Sequence, residues 1–209
     1  SISGTKSSQF NSGNGYKGTG IKIGIIEAAY GKYDPNAPQL STMSSEQLEW
    51  QGIVIDKDNI TTSFDNVNID EDAPYHATMV TSLIVGQPYT VNGYTYEGVV
   101  PMATAYQIGV HDAVNIAVAF SALADSGVSV INLSAGVVDN TTSYSGAFDG
   151  EFDKLIESTG VTFVVAAGNT GTNVLSPGNA YNAITVGNIV TKRYKDIFDI
   201  YYLTDKVDK

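Results

Sequence analysis

A chain of 209 residues with 43% hydrophobic content is one domain, or one large piece of one, with enough apolar residues for a sizeable core. Its net charge of −11, with no basic run beyond the short Lys192, Arg193 and Lys195 cluster, excludes a nucleic-acid partner, because phosphate binding needs clustered Lys and Arg. The absence of Cys excludes a disulfide framework and thiolate metal sites, and no apolar run reaches the length of a membrane span.

Residues 1–20 are rich in Gly, Ser, Asn and Lys and are expected to form a loose N-terminal arm that ends in the turn Lys17-Gly18-Thr19-Gly20. Ile21 to Ile26 is a continuous apolar run with one Lys, short enough for a buried strand, and it runs straight into Glu27. Gly31, Pro35 and Pro38 mark a loop. Ser44 to Trp50 fits a short helix with a capping box, and Ile53-Val54-Ile55 a short strand, followed by an acidic polar stretch to Asp72. A helix is expected to open on His76 and to run to Val85, stopped by Gly86 and Pro88. A loop or small hairpin follows around Asn92-Gly93.

Ala103–Val110 is a predicted strand, and 112–126 a helix with Asp112 as N-cap and Gly127 just past its end. Val128 to Ser134 is a strand, Ala147 to Ser158 a helix ended by Gly160, and Val161 to Ala167 and Ile184 to Ile189 are strands. Strands alternating with helices of ten or more residues mean βαβ units. The fold class is therefore α/β, three layers, with a mostly parallel sheet covered on both faces. The near-continuous apolar strands are what a doubly covered sheet requires.

In such a sheet, sites form beyond the carboxyl ends of the strands. Glu27, Ser134, Gly136 and Asn169 all stand at such ends, and His76 stands at a helix start. A lone histidine on a helix is more often a packing or surface residue than a catalyst; here the surrounding motifs favour catalysis. An acid, an imidazole and an amide are three of the four parts of a serine-hydrolase site.

Taken together, the motifs resemble those of the subtilisin-like serine peptidases (subtilases, peptidase family S8). The carrying residues are Ile25-Ile26-Glu27, His76-Ala77-Thr78-Met79-Val80, Val130-Ile131-Asn132-Leu133-Ser134-Ala135-Gly136 and Ala166-Ala167-Gly168-Asn169. Gly98-Val99-Val100-Pro101-Met102-Ala103 and Ser176-Pro177-Gly178-Asn179-Ala180 to Ile184-Thr185-Val186-Gly187 extend the likeness, which runs from about residue 18 to 189. The acidic, Cys-free composition, rich in Ser, Thr, Asn and Tyr, leans towards a secreted or cell-surface protein of bacterial type. The resemblance implies an endopeptidase that acts on peptide or protein substrates and needs no cofactor. His76 would be the general base, Glu27 its orienting acid, and Asn169 the oxyanion donor. Ser134, Ala135 and Gly136 would pair with an extended substrate as an added strand. Ala166, Ala167 and Gly168, being small, would line the primary specificity pocket without filling it.

Three departures from the family pattern stand out. Glu27 replaces an Asp and is one methylene longer. Asp34 is an alternative orienter, ranked below Glu27 because it lies in a loop. Ala77 and Met79 replace a Gly and a second His. The nucleophile is missing: the family sets it in Gly-Thr-Ser-x-Ala, and the Gly-Thr pairs here are followed by Lys6, Gly20 and Asn173. Ser134 and Ser176 fit substrate-strand and loop roles better than that of a nucleophile. The expectation is that residues 21–209 are the N-terminal portion of a subtilase catalytic domain, cut before the serine and inactive alone, with the Ile197 to Leu203 run at the cut edge prone to association.

His111 is expected to be an exposed loop residue. Asp65, Asp70, Glu71 and Asp72 offer oxygens for a structural calcium ion, without the order and Gly of an EF-hand loop, so a solvated loop is the leading expectation there. The runner-up function is an inactive pseudoprotease that binds peptides or a protein partner through the same fold. A nucleotide-binding α/β domain is disfavoured by the missing phosphate loop and the acidic charge.

Overall fold

The computed structural model describes residues 15–28, 60–64, 72–86, 88–91, 93–110, 113–137, 146–169 and 173–188. The element order is β1 (Lys22–Ala28), β2 (Ile60–Phe64), α1 (Asp72–Val85), β3 (Tyr89–Val91), β4 (Tyr94–Tyr96), β5 (Thr104–Val110), α2 (Ala113–Asp125), β6 (Val130–Leu133), α3 (Gly146–Thr159), β7 (Thr162–Ala166) and β8 (Ile184–Val186). Six strands form one sheet in the order β2-β5-β1-β6-β7-β8, every neighbour parallel. β3 and β4 make a separate antiparallel hairpin, as the Asn92-Gly93 signal implies.

The side-chain period of two divides the core. On β1, Ile23 and Ile25 join Ala77 and Val85 of α1 and Ala103 and Ala105 in one buried cluster. Ile26 points the other way, into a larger cluster with α2, α3, β6 and β7. α2 presents Ile116, Ala119, Phe120 and Leu123 to that cluster, the i, i+3, i+4, i+7 stripe of a core-facing helix. α3 adds Phe152 and Ile156, and Phe163 comes from β7. Phe120 meets Phe152 and Phe163 edge-on at centroid distances of 5.9 and 5.1 Å. Each fully buried phenylalanine contributes roughly 1.5–3 kcal/mol by burial alone. α2 and α3 stop at Gly127 and Gly160, whose φ values of 76° and 68° end a helix without a Cβ penalty.

The second face is covered less evenly. α1 packs over β1 and β5. Asn132, Val164, Ile184 and Val186 share that face by register, and Ile184 and Val186 are 54% and 51% exposed. Among the described residues, no helix lies over β6–β8 there.

Two sequence expectations need correction. α1 begins at Asp72, so His76 is its fifth residue and does not open it. Pro74 explains the earlier start, because a first-turn proline lacks only an N–H that would be unpaired anyway. β2 falls in a stretch read as polar loop. Its Ile-Thr-Thr-Ser-Phe sequence is rich in β-formers but too polar for the apolar-run criterion, and an edge strand tolerates that polarity. The proposed helix at 44–50, the strand at 53–55, the run 197–203 and most of the N-terminal arm lie outside the described residues.

Candidate active site

β1 lies at the middle of the sheet, where the strand order reverses direction, and parallel strands bring all their carboxyl ends to one edge. Glu27 is the penultimate residue of β1, and its side chain is 1% exposed. His76 Nδ1 and Glu27 Oε2 are 2.6 Å apart. An ionised carboxylate only accepts hydrogen bonds, so Nδ1 carries the proton and Nε2 keeps its lone pair. The His76 side chain is 43% exposed, which leaves it open to a reactant. The extra methylene of Glu27 is accommodated, because the contact closes at charge-assisted hydrogen-bond length.

Burial pushes the Glu27 carboxyl above the usual range; the His76 hydrogen bond, its positive charge and the nearby Ser134 hydroxyl oppose that rise. His76 is raised above its ordinary value, chiefly by the hydrogen bond to Glu27, against partial desolvation. Glu27 Oε1 is buried without a hydrogen-bond partner among the described residues. The second oxygen is thus less stabilised than the first, and the carboxylate is directed towards the imidazole.

The β1–β6 register pairs Ile26 with Leu133, so the next residues, Glu27 and Ser134, leave the sheet side by side. Asn132 Nδ2 donates to Ser134 Oγ at 2.9 Å. The β6–β7 register pairs Leu133 with Val165, so Ser134, Ala135 and Gly136 diverge from the sheet beside Ala166, Ala167 and Gly168. Asn169 follows as an exposed bend residue on the same edge. Ser176 Oγ is buried and donates to Asp149 Oδ2 at 2.9 Å, a structural contact.

Sequence reasoning missed two residues that shape this edge. Gln107 is 1% exposed in the middle of β5, and its Nε2 donates to the Ala77 carbonyl (3.2 Å) and Thr81 Oγ1 (2.7 Å). It ties α1 to the sheet next to His76. A single amide inside an otherwise apolar strand was the available signal. Leu175 lies between the two diverging strand exits, and nothing local in its sequence marks it. Asp34, Asp65, Asp70, Glu71 and His111 lie outside the described residues. Asp72 is placed only as helix backbone. Among the described residues, no group of three or more His, Asp or Glu is placed to hold a metal ion, and no helix is long and apolar enough to cross a membrane.

The sequence model of the subtilase family (Peptidase_S8) matches residues 18–200. Solved structures with the same fold include the prenylagaramide maturation protease PagA, at 18% identity and a TM-score of 0.56 over 88% of this chain and 58% of that one. A mutant of the protease domain of PatA matches at 21% identity and a TM-score of 0.59, over 85% of this chain and 61% of that one. MycP1 with its propeptide removed matches at 19% identity and a TM-score of 0.57, over 89% and 60%. The chain therefore spans about three fifths of the length of these structures. No curated protein matches the sequence.

Proposed function

This chain belongs to the subtilase family, and we propose that it supplies the acid, base and oxyanion donor of a serine endopeptidase site. The observation that carries the reading is the 2.6 Å contact that fixes the His76 tautomer and leaves Nε2 free. In this mechanism Nε2 takes the proton of a seryl hydroxyl as its oxygen attacks the scissile carbonyl carbon. The Asn169 side-chain amide donates to the oxyanion. His76 then returns the proton to the leaving amine, and water hydrolyses the acyl-enzyme by the same steps. Glu27 stays ionised and stabilises the imidazolium. Residues 134–136 hold the substrate as an added strand, and 166–168 flank the side chain before the scissile bond.

The nucleophile in this proposal lies outside residues 1–209. The sequence has no Gly-Thr-Ser; Ser176 donates its hydroxyl to Asp149, and Ser134 accepts from Asn132 beside Glu27. The chain alone is then inactive. Secretion fits its acidic, Cys-free composition and remains part of the proposal. Calcium is not required for it.

Fluorophosphonate labelling of the protein as its gene encodes it tests the reading. Labelling is expected in the wild type, lost in His76→Ala, and absent from residues 1–209 alone. No labelling of the encoded protein, with or without His76, would sink it. That result would favour the second reading, a peptide-binding pseudoprotease.

A further inference from the structure

We propose that Leu175 closes the base of the specificity pocket, so that the protein accepts only a small side chain (Gly, Ala or Ser) before the scissile bond. The inference rests on the reading that residues 134–136 and 166–168 flank that side chain.

The sequence by itself allows a large side chain there without demanding one. Ala166, Ala167 and Gly168 are small, and a pocket walled by them and by Gly136 has room for an aromatic ring. The structure fills that room from a third segment. Leu175 N–H donates to the Ala167 carbonyl at 3.0 Å, and Val137 N–H donates to the Ser176 carbonyl at 2.8 Å. The 175–176 segment is thus stitched to both strand exits and spans the gap between them. An isolated antiparallel bridge between Val137 and Ser176 fixes its register.

The Leu175 side chain then lies against both glycines. A Cβ built on Gly136 would stand 2.6 Å from Leu175 Cβ, and one built on Gly168 would stand 2.5 Å from Leu175 Cγ. Both separations are below any real carbon–carbon contact, so the leucine already occupies the space that the two missing side chains leave. Gly168 has φ 95°, so its backbone also favours glycine. Leu175 is only partly buried. Its open side faces solvent, and an incoming side chain would meet an isobutyl group there. Methyl or hydroxymethyl groups pack on such a surface, whereas a benzyl group overlaps it unless the stitched segment moves. Overpacking of that kind is unfavourable in a close-packed site.

The test uses two matched peptides, succinyl-Ala-Ala-Pro-Ala and succinyl-Ala-Ala-Pro-Phe, as p-nitroanilides for hydrolysis and as amides for binding. In the protein as encoded, kcat/KM for the Ala substrate is expected to exceed that for Phe by roughly 10²-fold. Leu175→Gly should raise kcat/KM for Phe by a similar factor, so that the ratio of Ala to Phe falls towards one. Equal rates on the two substrates in the wild type, or a ratio that Leu175→Gly leaves unchanged, would overturn the proposal. If neither is hydrolysed, the protease reading fails, and binding to residues 1–209 decides the pocket independently. Methyl NMR of Leu175 should then shift with the Ala amide at concentrations where the Phe amide gives no shift, with the order reversed by Leu175→Gly when read on the Ala167 methyl. Absence of shift with both amides also overturns it. Should the glycine variant not fold, Leu175→Ala keeps a Cβ, opens most of the same space and is read the same way.

Discussion

At the residue scale, in the proposed mechanism, the acid–imidazole pair sets the chemistry and its pH dependence. His76 is held above the ordinary histidine value of about 6.5 by its bond to Glu27. A base must be neutral to accept a proton, so the acid limb of kcat/KM is expected above pH 6.5 in the catalytically complete protein. Glu27→Gln removes the anion that favours imidazolium. That limb should move down, and kcat should fall by roughly 10⁴-fold, because the imidazole loses its fixed tautomer. A pH–rate profile that does not move would refute the pairing. The same raised value has a sign for stability. The folded state binds the His76 proton more tightly than the unfolded state, so this stabilisation is complete below about pH 6.5 and is lost as pH rises through the folded value. Glu27, also raised by burial, acts in the same direction at lower pH. Thermal midpoints should therefore decline across the His76 window, and less steeply in His76→Ala. Of this site, the Glu27–His76 pair could be read from motif context, because each residue carries a recognisable flank. Leu175 and Gln107 could not, since the first is defined only by which glycines it touches and the second only by the helix it reaches.

At the element scale, the position of α1 decides whether the imidazole meets the carboxylate. The loop after α1 caps its last carbonyls, with Val99 N–H donating to the Leu83 carbonyl at 3.0 Å and Val100 N–H to the Ile84 carbonyl at 2.8 Å, and the helix rests on a small cluster of Ile23, Ile25, Ala77, Val85, Ala103 and Ala105. Gln107 adds the directional tie, with two hydrogen bonds to the turn that follows His76. Thr81 is fully buried, so losing its partner leaves a hydroxyl in the interior. Gln107→Leu is expected to cost about 1–3 kcal/mol in urea denaturation despite its greater hydrophobicity. A variant as stable as the wild type would show that the Gln107 hydrogen bonds do not help to hold α1. The alternation of strands and helices was legible for most elements because each helix carries its own apolar stripe and terminal glycine. β2 was not legible, because its pairing with β5 supplies the stability that its polar sequence does not announce.

At the scale of the whole molecule, the two faces of the sheet are unequal. One is sealed by α2 and α3 around four phenylalanines, three of them fully buried. On the other, Ile184 and Val186 of β8 stand half exposed beside Val164, at the edge of the described sheet. An apolar face next to an edge strand is a site for association. Residues 1–209 are expected to self-associate at micromolar concentration in sedimentation velocity despite the charge of −11. The double variant Ile184→Lys, Val186→Lys should sediment as a monomer. A wild-type chain that is monomeric throughout would show that the face is covered by residues outside those described.

The sequence by itself determined the fold class, most of the alternation of strands and helices and the residue types at the strands' carboxyl ends, because periodicity, helix stops and short motifs are local and need no partner to be read. Tertiary structure alone decided the place of β2, the 2.6 Å approach of His76 to Glu27 and the seat of Leu175 between Gly136 and Gly168. These depend on which segments pack together, and a contact such as that of Glu27 with His76, 49 positions apart, leaves no periodic trace in the sequence.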